Sequence, residues 1–293
     1  MVGSRNAESG RPATLPAMYA VILAGSSGTR QHPLRAADDP ISLRPTADGR
    51  TLLRRIAARI EPLVDPMDLV VVTDRRYGER VRTELPEARI LAEPMGRNTA
   101  ASLALATVAV RRPEDEQMLV ICADHEIDQD DAFREAMATV AVDVVHGAAG
   151  VERPLVTFGI RPTGPDPQFS YIQPAYDDGV RVGKLRVYPV VGFEAKPEDG
   201  RTRELYESGT SFWNSGVFLW RRGVIHDAIE RYTPLFTLLE PAYRSELALR
   251  AAYDRIAPIS IDEAILTGAA RDGTVLTAPL DVGWQDLSGN GLD

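Results

Sequence analysis

The chain of 293 residues contains a single cysteine, Cys122. A lone thiol excludes an internal disulfide and any metal cluster built on cysteines. Cys122 closes the apolar run 118–122, so it reads as a buried strand residue rather than a nucleophile. Lysine is almost missing too: only Lys184 and Lys196 stand among 33 basic residues. Arginine carries nearly all the positive charge, which draws attention to each lysine. The four histidines, at 32, 125, 146 and 226, have no metal-ligand spacing, so no zinc site is expected. No apolar stretch reaches the length of about 18 residues that a membrane-spanning helix needs. The net charge of −9 lacks the basic face that broad nucleic-acid binding requires. An anionic substrate would need a local positive pocket instead. Residues 1–17 have no apolar segment of a secretory signal and read as a flexible tail. Together with the unpaired cysteine, this points to a cytoplasmic protein.

Short β-branched runs alternate with helical patterns through the first half. Residues 19–24, 68–73, 88–92 and 117–123 read as buried strands. Residues 51–60, 80–85 and 130–145 read as helices, and Asn98 is placed as the cap of an Ala-rich helix over 99–111. Strand–helix alternation predicts βαβ units: an α/β fold, Rossmann-like, with a mixed but mainly parallel sheet flanked by helices. The second half is less regular. Residues 154–160, 171–173, 187–193 and 216–220 read as further strands, and 224–231 and 234–251 as helices. No repeat or linker divides the chain, so 18–293 is expected to be one domain. Gly25, Glu93 and Asp124 each follow a predicted strand directly. In open α/β sheets, ligands bind at the carboxyl ends of the strands, so these three loops should share one rim.

The loop Gly25-Ser-Ser-Gly28-Thr-Arg30 has small residues that let backbone N–H groups approach phosphates, followed by a cation. It is neither a dinucleotide fingerprint nor a P-loop, and alone a plain turn explains it equally well. The wider series is more telling. Leu23-Ala-Gly-Ser-Ser-Gly-Thr-Arg30 with His32-Pro33-Leu34, and Glu93-Pro-Met-Gly-Arg-Asn-Thr-Ala100, are followed by Ala123-Asp124-His125 and Thr157-Phe-Gly-Ile. Lys196-Pro197, Trp213-Asn214-Ser215-Gly216, Ser260-Ile-Asp262 and Gly283-Trp284-Gln-Asp286 complete it. In this order the series resembles the sugar-1-phosphate nucleotidyltransferases, and within them the mannose-1-phosphate guanylyltransferases, from about residue 19 to 286.

The resemblance implies a nucleotide-diphospho-sugar transferase fold of the GT-A-like kind and the transfer of a guanylyl group from GTP to mannose 1-phosphate. A sugar phosphate oxygen attacks the α-phosphorus and pyrophosphate leaves. The nucleophile is already an anion, so the work is alignment and charge compensation. By resemblance, Leu23, Ala24, Gly25, Ser26, Gly28, Thr29 and Arg30 meet the nucleotide, with Glu93, Arg97, Asn98 and Thr99 beside them. Lys196, Asn214, Gly159 and Tyr171 meet the sugar phosphate. Asp124 and Asp286 hold Mg²⁺, and Arg30, Asp124, Lys196 and Asp286 carry catalysis. The plainer roles are a turn or N-cap for Asp124, a surface cation for Arg30 and Lys196, a strand-entry turn for Asn214, and packing for Trp213 and Trp284. A homodimer is left open as the assembly.

Several positions depart from the family pattern. Pro40-Ile41 stands where a Pro-Lys pair is expected, which removes a phosphate-contacting cation, and Arg35 or Arg44 could replace it. Ala195-Lys196-Pro197 lacks a sugar-contacting Glu. Gln168-Phe-Ser-Tyr171 replaces a Gly-Tyr-Gly-Tyr-like segment, and Cys122 replaces a proline. The chain stops at Asp293, where family members continue into a C-terminal segment, so that extension is expected to be lacking. These departures keep two other readings alive: a nucleotide-sugar-binding paralogue with little turnover, and a nucleotidyltransferase for another sugar or base.

Overall fold

Four apolar runs build one half of a single large sheet. They are β1 (Met18–Leu23), β2 (Leu69–Asp74), β3 (Arg89–Glu93) and β4 (Gln117–Cys122). The structure, a computed structural model, describes residues 15–25 and 40–287. β1, β2 and β4 are buried along their length up to Cys122, so each reads as a continuous apolar stretch rather than an alternation. All three neighbouring pairs in the order β3-β2-β1-β4 are parallel. They are joined through α1 (Leu52–Ile60), α2 (Gly78–Glu84) and α3 (Asn98–Ala109). Thr51 starts α1 as the sequence suggests, its hydroxyl accepting the Arg54 N–H at 3.3 Å. After β1 the chain runs to β2 on one side, while β4 lies on the other. The crevice past the carboxyl ends of β1 and β4 is therefore a switch point where ligands bind.

Beyond β4 the chain forms a short β5 (His125–Ile127) and α4 (Asp130–Val142). The second half adds β6 (Leu155–Ile160), β7 (Ser170–Pro174), β8 (Val180–Val182) and β9 (Leu185–Ala195). After α5 (Asp199–Glu207) comes β10 (Phe212–Arg221). It inserts antiparallel between β4 and β6, and the order continues β6-β11-β9-β7, with β11 at Val275–Leu280. The sheet is mixed, as expected, but "mainly parallel" holds only for its first half. Outside that half, among the described residues, the β6–β11 pair alone is parallel, and the pairs of β9 and β10 are antiparallel. Buried strands of either polarity read as the same apolar run, so pattern cannot tell them apart.

Helices cover both faces. Ile56 of α1 and Phe133 of α4 join the core on one side, and Leu103 of α3 joins it on the other. Ile225 of α6 (Arg222–Tyr232) and Tyr253 of α8 (Glu246–Arg255) share that second core. The helix expected over 234–251 is broken into α7 (Leu235–Leu239) and α8. Pro241 has no N–H to continue the first helix, and the Ser245 hydroxyl caps the second by accepting the Ala248 N–H. Asn98 is not the expected cap. Its φ is +66°, and its Oδ1 accepts the N–H of the next residue at 2.8 Å. No helix among the described residues is long and apolar enough to cross a membrane.

Candidate active site

A cavity of about 280 Å³ opens at the rim where β4 ends and β10 begins. Asp124 lies two residues past β4 and leads into β5, which pairs antiparallel with β12 (Trp284–Asp286). In that register Asp286 faces His125, and the Leu287 N–H donates to the Asp124 carbonyl at 2.8 Å. Asp124 and Asp286 are thus close in backbone across a two-stranded clip, and both line the cavity. Gly283 makes the sharp entry to β12 at φ +64°, with Asp128 Oδ2 only 2.8 Å from where a side chain would start. Asp124 Oδ1 also lies 3.4 Å from Nδ1 of the fully buried His125. Phe169 and Trp284 add an aromatic wall, their ring centroids 5.6 Å apart, and Phe169 packs on Trp213 at 4.5 Å.

Lys196 stands on the facing wall, exposed, just past the end of β9 and next to Ala195. Its backbone is left-handed at φ +45°, a costly conformation for a residue with a β-carbon. Asn214 is not in a turn before β10 but inside it, at an irregularity in the register with β6. Its Oδ1 accepts from Thr157 Oγ1 at 2.9 Å, and its Nδ2 donates to Asp262 Oδ1 at 2.6 Å. These partners fix which way the amide points. Asp262 is 7% exposed and also lines the cavity. The motif Ser260-Ile-Asp262 marked this stretch in the sequence, but no role followed from it.

Asn98 and Thr99 line the same cavity. Thr99 Oγ1 accepts the Ile261 N–H at 2.9 Å, and the Arg97 guanidinium donates to the Tyr253 carbonyl at 2.7 Å. The β3–α3 loop is therefore fastened to the segment that carries Asp262. Arg97 points into this structural bond and is absent from the cavity lining. Glu93 lies deeper still, at 2% exposure. Its Oε1 accepts from Ser102 Oγ and Tyr253 OH, each at 2.9 Å. Burial pushes its carboxyl up to about 7, although those two hydrogen bonds and nearby Asp74 also act on it. Its other oxygen sits 3.3 Å from the point where a side chain on Gly25 would begin. Glu93 is thus buried behind the site and is absent from the cavity lining.

Leu23 and Ala24 are buried, the Ala24 N–H donating to Val72 O at 2.8 Å. Ser26, Gly28, Thr29 and Arg30, as well as Arg35, lie outside the described residues. Ile41 is buried beside Ser42 and Leu43 in a short 3₁₀ turn. A cation at position 41 would start from inside apolar packing, so the site does not simply lack one charge there. Cys122 corrects the expectation of a core thiol: it is half-buried and lines the cavity.

Two expected sugar contacts are not brought there. Tyr171 is fully buried, and its hydroxyl accepts the Asp166 N–H at 3.0 Å and donates to the Asp166 carbonyl at 3.2 Å. It is a strut for the loop before β7. Gly159 is missing from the lining, and a β-carbon on it would fall 2.7 Å from Cβ of Phe212. Gly159→Ala is therefore expected to lower stability by about 1–3 kcal/mol through overpacking. Urea unfolding checks this, and a variant as stable as the parent would remove the packing account. Gln168 and Ser170, which the sequence flagged only as departures, do line the cavity beside Phe169.

Among the described residues no three or more His, Cys, Asp or Glu side chains are grouped to hold a metal ion. The Asp124–Asp286 pair offers oxygen ligands only. That donor set suits Mg²⁺, which keeps several waters and takes one or two carboxylates plus substrate phosphates.

Comparison with known proteins adds to this picture. The profile of the nucleotidyl transferase family matches residues 19–287. The alginate biosynthesis protein AlgA of Pseudomonas fluorescens is 33% identical over 285 residues, covering 92% of this chain and 56% of that protein. The mannose-1-phosphate guanylyltransferase of Escherichia coli K12 is 30% identical over 288 residues, covering 92% of this chain and 58% of its own length. The chain thus spans a little over half the length of these curated relatives. A crystal structure from Thermus thermophilus, described as a mannose-1-phosphate geranyltransferase, superposes with a TM-score of 0.75 at 30% identity. It covers 92% of this chain and 76% of that one.

Proposed function

The chain belongs to the nucleotidyl transferase family, and from that premise we propose that it transfers a guanylyl group from GTP to mannose 1-phosphate, releasing pyrophosphate. One observation carries the reading: the β5–β12 pairing brings Asp124 and Asp286 to one cavity, which Lys196 and Asn214 also line. The guanylyltransferase relative supports the choice of substrates. In this reading residues 18–293 act as one nucleotidyltransferase domain in the cytoplasm, without nucleic acid, and a homodimer stays open.

Lys196 meets the sugar phosphate and offsets its charge. Asn214, with its amide oriented by Thr157 and Asp262, offers hydrogen bonds to sugar hydroxyls. Asn98 and Thr99 meet the nucleotide from the opposite wall, and the glycine loop with Arg30 meets its phosphates. Asp124 and Asp286 would hold Mg²⁺, which when bound supplies charge compensation for the triphosphate. No side chain has to remove a proton from the nucleophile. Alignment of two anions in a cavity is the main contribution of the protein.

Purified protein mixed with GTP, mannose 1-phosphate and Mg²⁺ is expected to release pyrophosphate, measured by a coupled phosphate assay. No release would count against turnover. The buried Ile41 and the exposed Ala195 favour the second reading, a module that binds a nucleotide sugar with little turnover. Calorimetric binding of GDP-mannose without pyrophosphate release selects it. A panel of triphosphates and sugar phosphates separates a transferase for another base or sugar.

A further inference from the structure

A second cavity, of about 680 Å³, lies at the far end of α3 from the candidate active site. The first turn of α3 lines one cavity and its last turn the other. A helix of 12 residues separates them by about 18 Å. Arg111, Arg112, Arg222 and His226 line this second cavity, with Tyr243 and one carboxylate, Glu240. On a protein of net charge −9, three guanidiniums around one concave surface stand against the overall field.

Each arginine is held differently. Arg112 is neutralised by Asp68 and by Glu116, the latter at 3.1 Å, and stacks over the Tyr19 ring. Arg222 donates to the α3 carbonyl of Thr107 at 3.5 Å and to that of Val110 at 3.4 Å. Capping that helix end accounts for part of its charge but leaves other N–H groups of the fork unspent. Arg111 is exposed and lines the cavity with Tyr243, whose hydroxyl accepts from Arg244 at 2.8 Å. Among the described residues no carboxylate pairs with Arg111 or Arg222. The Tyr19 hydroxyl is buried without a hydrogen-bond partner among the described residues, near Arg222, Glu116 and Arg112. Guanidinium forks match phosphate oxygens in geometry as well as charge.

We propose that this cavity is a second anion site, which takes a small ligand bearing two or more linked phosphates, with Arg111 and Arg222 as its principal contacts. The site is separate from the family's substrate cavity, and the proposal stands whether or not the chain turns over GTP. A nucleic acid is a poor occupant, because the basic residues form one concave cluster on an acidic chain.

Calorimetric titration with inorganic pyrophosphate, without divalent cations, tests this on the whole chain. However many equivalents the parent binds, Arg111→Gln and Arg222→Gln should each lose one of them or weaken it about tenfold or more. Arg222→Gln also removes bonds to α3, so its melting temperature is measured alongside. Arg111→Gln alters only an exposed side chain and keeps the test valid if Arg222→Gln unfolds. Arg82→Gln, an exposed arginine on α2 paired with Glu79, serves as control and should leave the isotherm unchanged. Parent-like isotherms in the folded variants overturn the proposal. An equal loss in Arg82→Gln overturns it too, since net charge alone would then explain the effect.

Discussion

Asp286→Asn is expected to cut the rate of pyrophosphate release by about 10²–10³-fold, with little change in melting temperature. The asparagine keeps the shape of the side chain and leaves the β5–β12 backbone pairing intact, so the clip that places position 286 next to Asp124 survives. What is lost is one negative charge of the proposed metal pair, at a cavity where a cation must offset a triphosphate and a sugar phosphate. The concentration of Mg²⁺ needed for half-maximal rate should rise as well. Asp124→Asn should behave alike, because both carboxylates serve one ion. For the same reason the double variant should fall short of the product of the single losses. An Asp286→Asn protein within threefold of the parent rate would sink the proposed metal pair, and with it the central argument for turnover.

The second large effect concerns stability and pH. The folded chain holds the Glu93 proton up to about pH 7, whereas an ordinary glutamate loses it near 4.5. Between those values the unfolded chain binds fewer protons than the native one, so stability falls as pH rises through that window. This group's contribution is fullest below about pH 4.5 and is gone above about 7. At about 1.4 kcal/mol per unit, the loss is on the order of 3 kcal/mol. Glu93→Gln removes the titration, and its amide oxygen can still accept from Ser102 and Tyr253. The variant should match the parent near pH 5 and exceed it by roughly 3 kcal/mol at pH 8. Other carboxylates slope the opposite way: Arg201 beside Glu194 holds its carboxyl below the usual range. The difference between variant and parent, followed by urea unfolding across pH, is therefore the informative quantity. Parallel curves for the two proteins would show that Glu93 is already ionised in the native state.

Glu93 also shows how folding moves a group from its expected place. Its carboxylate accepts from Ser102 of α3 and Tyr253 of α8, which meet only in the folded chain. A residue expected beside the base or sugar proves to be buried and bonded to two helices. Arg97, assigned to the nucleotide by its motif, holds the backbone of α8 instead.

Local chemistry decided a good deal by itself. β-branched runs marked β1 to β4, Thr51 marked the start of α1, and small residues after β1 marked a loop suited to phosphates. Asp124 past β4 and Asp286 after a glycine turn could be singled out because their motifs stand in a fixed order. Strand polarity in the second half was beyond reach, since there no regular helix alternation accompanies the strands and a run buried on both faces carries no sign of its direction. So was the displacement of Gly159 and Tyr171 from the cavity, which depends on Phe212 and Asp166 packing against them. The pairing of β5 with β12 brings Asp124 and Asp286, more than half the chain apart, to one cavity, and Asp262 gains its role only when Asn214 reaches it. Burial acts in the same way: the raised carboxyl of Glu93 and the apolar seat of Ile41 arise from neighbours that only the closed sheet assembles. Residue type and short spacing set which groups can do chemistry, and long-range contact and desolvation decide which of them face the ligand.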